Sequence, residues 1–457
     1  VTRPNLVVIL VDDLRFDEFG AGGHPYLRTP HVDRLAREGA LFTRAFHTTP
    51  LCSPNRASIL TGQYASRHGI IDNVGRDAAS HRLPNYHVVL QALGYETAHV
   101  GKWHMGNDPS PRPGYDVWVS FAGQGKLVDP ELFEDGRVRR VPGYVTDLLN
   151  ERAVAFVARR RSRPFALFLA HKAVHPDLVQ RQDGTFDPES LGGYVCAERH
   201  RALYREGHFP PRPNVRPAEE VLRSKPAFAE PFALRQGEAG QRLLRSIHAG
   251  TQEEIRARAA MMAAVDEGVG MLLEALDASG TLDQTLVLFL GDNGYFFGEH
   301  ALGPERRFAY EEGIRSPFVV RYPPRIAPGT VVADLVLALD IAPTAIELAG
   351  GAPGPHVQGR SLLPLLAGRR EGWRTSFLVE YFAESAMPWL VGMTYKAVRT
   401  ERHKLIHWVH RDGVDELYDL ERDPYELTNV IGDAAYAGVK GELRAELARL
   451  AVEAIGL

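Results

Sequence analysis

The run Leu6-Val7-Val8-Ile9-Leu10-Val11 is apolar without interruption and is closed by Asp12-Asp13. A strand with one wet face alternates apolar and polar residues. An unbroken run of this length, ended by polar residues, reads as a strand covered on both faces, as in a parallel sheet. The two aspartates then stand at the carboxyl end of that strand, where sites form in open α/β sheets.

Working outward from this run, helices and strands alternate. Thr29-Pro30 reads as a helix start, with Thr as N-cap and Pro at the first helical position, and the helix is expected to stop near Gly39. A second helix is expected to carry residues 57–60, and residues 88–93 read as a helix ending at Gly94. Strands are expected at 96–100 and 165–170, the latter preceded by a helix over 146–161. A long helix over 252–276 ends at Gly280, and strands follow at 285–290 and 318–322. This alternation predicts an α/β fold with a large, mostly parallel sheet flanked by helices, occupying residues 1–370. Beyond it, closely spaced short strands at 377–381, 396–399, 404–409 and 416–420 and a helix over 441–455 predict a smaller C-terminal antiparallel sheet plus helix, residues 371–457. Residues 178–250, rich in Pro, Arg and Glu, read as an insertion of long loops that shapes a substrate pocket.

Composition narrows the function classes. The 457 residues are 44% hydrophobic and 24% charged, ordinary for a globular protein with room for more than one domain. A net charge of −4 gives no bulk electrostatic sign of nucleic-acid binding. No apolar run approaches the roughly 20 residues that span a bilayer. Two cysteines, Cys52 and Cys196, exclude a disulfide-rich scaffold. The chain begins at Val1 without methionine or signal peptide, which leaves periplasmic, secreted and cytoplasmic locations open. Oligomeric state is not legible.

Asp12-Asp13 has a counterpart late in the chain. Gly291-Asp292-Asn293-Gly294 follows the 285–290 strand, so three carboxylates and one amide oxygen arrive from two strand ends. Either pair alone is equally well a turn or capping pair. Together they are an oxygen donor set suited to a hard cation such as Ca²⁺ or Mg²⁺.

Four further motifs stand in a definite order. The first is Leu51-Cys52-Ser53-Pro54-Asn55-Arg56-Ala57-Ser58-Ile59-Leu60-Thr61-Gly62. Gly101-Lys102-Trp103-His104 and Ala170-His171-Lys172-Ala173-Val174-His175-Pro176 each follow an expected strand. Glu305-Arg306-Arg307-Phe308 lies between Gly298-Glu299-His300 and Tyr310-Glu311. In this order they resemble the type I, formylglycine-dependent sulfatases of the alkaline-phosphatase-like superfamily. The resemblance extends to Asp415-Glu416-Leu417-Tyr418-Asp419-Leu420 and Asp423-Pro424-Tyr425-Glu426 near the C-terminus.

That resemblance implies a catalytic assignment. Cys52 is oxidised after translation to formylglycine by a formylglycine-generating enzyme that reads the Cys-Pro-Arg pattern, and the hydrated aldehyde attacks sulfur. The metal set is Asp12, Asp13, residue 52, Asp292 and Asn293. The ion implied is Ca²⁺, with Mg²⁺ or Mn²⁺ in second place. Arg56 holds the nucleophilic hydroxylate, Lys102 binds sulfate and His104 takes the proton. His175 protonates the leaving oxygen, with His171 as a rival that spacing does not exclude. Arg306 stands where the family commonly has a lysine. It keeps the charge with a two-donor geometry, and Arg307 beside it is the alternative for the same contact. Asn293, where phosphonate and phosphodiester hydrolases of the superfamily more often have histidine, shifts the expectation toward sulfate esters. The expected substrate is a small-molecule or glycan sulfate ester. Residues 111–116, 123–125 and 171–175 resemble the branch of carbohydrate sulfatases. Beside this reading stand a phosphonate or phosphate ester hydrolase of the same fold and an inactive anion- or sugar-binding homologue.

Overall fold

The computed structural model describes residues 3–187, 190, 192–247 and 250–456. Its strands, in chain order, are β1 (Asn5–Val11), β2 (Ala40–Phe42), β3 (Ala45–Phe46), β4 (Glu96–Lys102), β5 (Val117–Phe121), β6 (Glu131–Glu134), β7 (Arg137–Arg140) and β8 (Phe165–His171). They continue with β9 (Thr285–Gly291), β10 (Phe318–Arg321), β11 (Thr330–Val332), β12 (Val336–Leu337), β13 (Ser376–Tyr381), β14 (Tyr395–Thr400), β15 (His403–Trp408) and β16 (Glu416–Asp419). Ten of them form one sheet in the order β11-β2-β10-β9-β1-β8-β4-β5-β6-β7. The middle five, β9 to β5, run parallel, and antiparallel pairing enters at β10 and at β6–β7.

Every residue of β1, β8 and β9 is buried, which is why their sequences carry no polar alternation. Val7, Ile9 and Val11 join one core with Leu149 and Phe156 of the helix Val145–Val157 and Met262 and Leu273 of the helix Thr251–Ala278. Leu6, Val8 and Leu10 join a second core with Ile59 and Leu60 of the helix Cys52–Thr61 and Ile346 of the helix Ile341–Leu348. Helices therefore cover both faces, as the sequence predicts. The small sheet β13-β14-β15-β16 is wholly antiparallel. Leu378, Val398, Leu405 and Leu417 on one face receive Leu443, Leu447 and Leu450 of the helix Ala437–Ile455. Its other face, with Tyr381, Tyr395 and Trp408, packs on Phe46, Phe296 and Tyr310 of the larger sheet's surroundings.

Residues 178–250 are loop over most of their length, as expected, and also carry the helices Ala218–Ser224, Ala229–Gln236 and Glu238–Ile247, with Val221, Phe228 and Phe232 buried. Pro210, Pro211 and Pro213 lie in loop, whereas Pro217 precedes the first of these helices and Pro231 lies in the first turn of the second, where helices tolerate them. Residues 188–189, 191 and 248–249 of this stretch lie outside the described residues. The 146–161 helix ends at Val157, where Arg161 folds back onto the Phe156 carbonyl. Thr29 precedes its helix as expected, but its hydroxyl accepts from the Gly20 amide (2.8 Å) and donates to Asp33 Oδ1 (3.0 Å) instead of capping. Among the described residues no helix is long and apolar enough to cross a membrane.

Candidate active site

Register brings the motifs together. Val11 lies opposite both His171 and Gly291, and Gly101 lies opposite Ala170. Asp12, Lys172 and Asp292 therefore stand side by side just past the carboxyl ends of three adjacent strands, with Lys102, level with His171, at the end of the fourth. Gly101 is required for this. Its φ is +118°, and a Cβ there would sit 2.0 Å from the Ala170 carbonyl oxygen. Asp13 and His104 adopt φ of +60° and +63°, in the left-handed region that few side-chain-bearing residues enter and that Asp and His tolerate better than most.

The acidic loop is held from several directions. Asp12 N–H donates to the Ala173 carbonyl and Val174 N–H to the Asp12 carbonyl, each at 2.8 Å. Asp13 N–H donates to Asp292 Oδ1 (2.9 Å), and Asn293 Nδ2 donates to Asp13 Oδ1 (2.8 Å). Arg258, fully buried on the long helix, donates to the Asp13 carbonyl (2.6 Å) and pairs with Glu18. Cys52 opens its helix and is itself fully buried, with Sγ 4.0 Å from Asp13 Oδ1 and 3.9 Å from Arg306 Nη1.

These residues have the donor set for a cation. Asp12, Asp13, Cys52 and Asp292 each offer a ligand atom, all within 4.8 Å of one another. Asp12 Oδ1, Asp13 Oδ2 and Asn293 Oδ1 are buried without a hydrogen-bond partner. Orphaned buried oxygens are costly, and those of Asp12 and Asp13 within one cluster of carboxylates fit a hard ion, while Asn293 turns its Nδ2 to Asp13 and keeps Oδ1 without a partner. Electrostatics agree. Burial and the neighbouring Asp12 charge push Asp292 up to about 8. Burial also raises Asp13, against Arg306. Asp12 is held well below the usual carboxylate range, because Lys102, His175 and Arg56 outweigh its burial. The Cys52 thiol is pushed well above its ordinary value by burial and by Asp12 and Asp292.

Around the acidic cluster stand the basic residues. Arg56 Nε donates to Asp292 Oδ2 (2.8 Å) and Nη1 to the Lys102 carbonyl (2.6 Å), and Nη2 lies 3.7 Å from Asp12 Oδ1. Lys102 Nζ bonds Asp12 Oδ2 and Gln124 Oε1. Gln180 Nε2 donates to the Gly184 carbonyl, so its Oε1 accepts from Gln124 Nε2 (3.1 Å) and from His104 Nε2 (2.9 Å). That network assigns the His104 proton to Nε2 and leaves Nδ1, on the Ser53 side, as the acceptor. His175 Nδ1 donates to the Pro176 carbonyl (2.8 Å), leaving Nε2 3.9 Å from Asp13 Oδ2. Both imidazoles are lowered, by burial first and then by Lys102.

Two alternatives left open by spacing fall on different sides. Arg306 Nη1 is 3.2 Å from Asp13 Oδ1, whereas Arg307 pairs with Glu305 and Glu384 away from the cluster. His171 is buried in β8 with neither ring nitrogen hydrogen-bonded, and burial lowers it to about 3. Gln180, Lys172 and Arg258 are not singled out by the sequence. Lys172, fully buried and lowered to about 8 by burial and Lys102, donates to the Pro176 carbonyl (3.1 Å). Only their place beside the strand-end motifs could have pointed to them.

Likeness to solved structures places this doubly covered, largely parallel sheet, with its oxygen-rich cluster at the strand ends, in the alkaline-phosphatase-like class of hydrolases. A solved structure described as a complex with its substrate D-glucosamine-2-N,6-O-disulfate superposes with a TM-score of 0.83 at 28% identity, covering 99% of this chain and 98% of that one. The phosphonate monoester hydrolase of Agrobacterium radiobacter superposes with a TM-score of 0.76 at 25% identity, over 99% and 96% of the two chains. Residues 4–352 match the Sulfatase family model, and residues 298–453 match that of the N-sulphoglucosamine sulphohydrolase C-terminal region. An N-acetylglucosamine-6-O-sulfatase of Bacteroides thetaiotaomicron is 30% identical over 486 residues, covering 96% of this chain and 85% of the relative. The chain belongs to the sulfatase family and is an enzyme that hydrolyses sulfate esters.

Proposed function

We propose that this enzyme releases sulfate from a carbohydrate sulfate ester, using a formylglycine made from Cys52 and a calcium ion held by residue 52, Asp12, Asp13, Asp292 and Asn293. The observation that carries the reading is the meeting of Cys52 with Asp12, Asp13 and Asp292 in one buried cluster with orphaned carboxylate oxygens, in a chain similar to an N-acetylglucosamine-6-O-sulfatase. When present, the ion and the hydrated aldehyde supply Lewis acidity and an oxygen nucleophile. The chain's own residues do the rest. Arg306 and Lys102 offer guanidinium and ammonium donors to the sulfate oxygens. His104, with Nδ1 free to accept, takes a proton from the group at position 52, and His175 passes a proton from Nε2 to the leaving oxygen once a bound sulfate anion has offset the burial that disfavours its protonated form. Arg56 fixes Asp292 and keeps a positive charge beside residue 52. Residues 1–370 carry this chemistry and residues 371–457 buttress it. A formylglycine-generating enzyme acts on the chain before folding.

The second reading, phosphonate ester hydrolysis, is favoured by the likeness to the Agrobacterium enzyme. Asn293 supports the first, because an all-oxygen set suits calcium. Protein with converted Cys52 is assayed on an aryl sulfate, an aryl phosphonate and a panel of sulfated monosaccharides that includes glucosamine 6-sulfate. The expected result is sulfate release from a sugar sulfate at a higher kcat/KM than phosphonate cleavage. Preference for the phosphonate, or no turnover of any sugar sulfate, contradicts the proposal.

A further inference from the structure

The end of the sheet opposite the catalytic cluster carries a cleft of about 1000 Å³ lined by Arg3, Arg159, Arg160, Arg161 and Arg163 and by no carboxylate. It lies at the amino ends of β1 and β8, since Asn5 and Phe165 form part of its wall. Strands of seven residues at about 3.3 Å per residue put it roughly 20 Å from the catalytic cluster.

The five arginines are not equivalent. Arg161 has a structural task. It bonds the Phe156 carbonyl at the helix end, stacks over Phe156 and Phe165 and pairs with Glu96 (3.2 Å). Complementing a helix C-terminus needs one such residue. Arg159 is half exposed and reaches Glu96 at only 3.6 Å. Arg160 and Arg163 are exposed and lie in no close ion pair with a described residue, although the Arg163 charge reaches Asp116 and helps to lower it. Closely spaced guanidinium groups that outnumber the carboxylates beside them attract an anion of high charge density. A planar fork matches sulfate and carboxylate oxygens with two donors. The one aromatic residue in the wall, Phe165, is buried, so the cleft has no ring on which a base could stack.

We propose that this cleft binds a sulfated polysaccharide chain, as a docking site separate from the catalytic cluster. The choice of polymer rests on the proposed carbohydrate-sulfate reading of the active site. A chain held there keeps its other sulfated units at high local concentration around the enzyme.

The test uses the full-length protein and heparin as the probe. Equilibrium binding is measured for the parent and for the triple variant Arg159→Ser, Arg160→Ser, Arg163→Ser, with thermal unfolding and aryl sulfate turnover measured alongside. The triple variant is expected to bind heparin at least about tenfold more weakly, from the loss of three exposed charge contacts. Its unfolding midpoint and its aryl sulfate kcat/KM stay those of the parent. Unchanged heparin affinity overturns the proposal. So does duplex DNA that binds as tightly as heparin and is lost in the same variant, which marks a nucleic-acid surface instead. Heparin binding is read on unconverted as well as converted protein and needs no turnover. Failure of the catalytic reading shows only in the aryl sulfate and sugar sulfate assays, so the two failures are distinct.

Discussion

Arg306 approaches Asp13 and Cys52, while Arg307 is clamped between Glu305 and Glu384. Replacing Arg306 with alanine removes a donor aimed at the proposed sulfate position, and kcat/KM for an aryl sulfate is expected to fall roughly a hundredfold. Replacing Arg307 with alanine leaves two buried carboxylates without their partner, and the expected effect is a stability loss of about 3–5 kcal/mol. Steady-state kinetics and urea unfolding of both variants check this pair. An Arg307→Ala enzyme with parental stability and an Arg306-like rate loss contradicts it. The contrast also shows what is legible at this scale. Residue types and their order point to Asp12, Asp13, Cys52, Asp292 and Asn293, and the structure gathers them. Which of two neighbouring arginines or histidines turns inward depends on backbone direction, and a sequence does not encode that in residue type. Gln180 escapes for the same reason, since its amide is informative only where Gln124 and His104 meet it.

Asp419 at the end of β16 ties the small sheet to the start of the C-terminal helix. Arg402 grips its carboxylate with two donors (3.0 and 2.7 Å), and the Tyr436 hydroxyl donates to it (3.1 Å). Chiefly through Arg402, and against some burial, these contacts hold the Asp419 carboxyl well below the usual range. A depressed folded value stabilises the protein above the ordinary pKa of about 3.9, and that stabilisation is lost as pH falls toward the folded value. Asp419→Asn is therefore expected to cost about 1 kcal/mol at pH 7, discounted because Arg402 is nearly half exposed. The gap between parent and variant narrows at pH 3. Denaturant unfolding at both pH values decides, and an equal gap at pH 3 contradicts the account. Elements marked by an unbroken apolar run, such as β1, β8 and β9, or by apolar residues at helical spacing, such as the long helix, are readable because burial is written into their composition. The hairpin β6–β7 is not, since all four residues of β7 are exposed and no apolar pattern marks it. The helices of 178–250 are hidden by prolines that stand at or near helix starts, where a missing N–H costs nothing.

Across the whole molecule, strand register is the device that makes a site. Four strands end level, and their last or next residues supply carboxylates and ammonium groups from segments up to 280 residues apart. Unbroken apolar runs forecast the parallel centre of the sheet. Its antiparallel margins depend on which strands become neighbours, a property of the assembled chain alone. If a calcium ion joins Asp12 and Asp13 to Asp292 and Asn293, it links the two ends of the catalytic region. Chelation is then expected to abolish turnover and lower the unfolding midpoint, and added Ca²⁺ to restore both. With free ion a thousandfold above its Kd, the stabilisation is about 4 kcal/mol. An unfolding midpoint and turnover that ignore exhaustive chelation contradict a bound ion. The most direct test of the central claim joins residue 52 to the reaction. Protein preparations with different fractions of Cys52 converted to the aldehyde, quantified by mass spectrometry of the peptide that contains it, are compared for sulfate release. The account predicts a rate proportional to the converted fraction and extrapolating to zero for the pure cysteine form. Equal rates from converted and unconverted protein would contradict it.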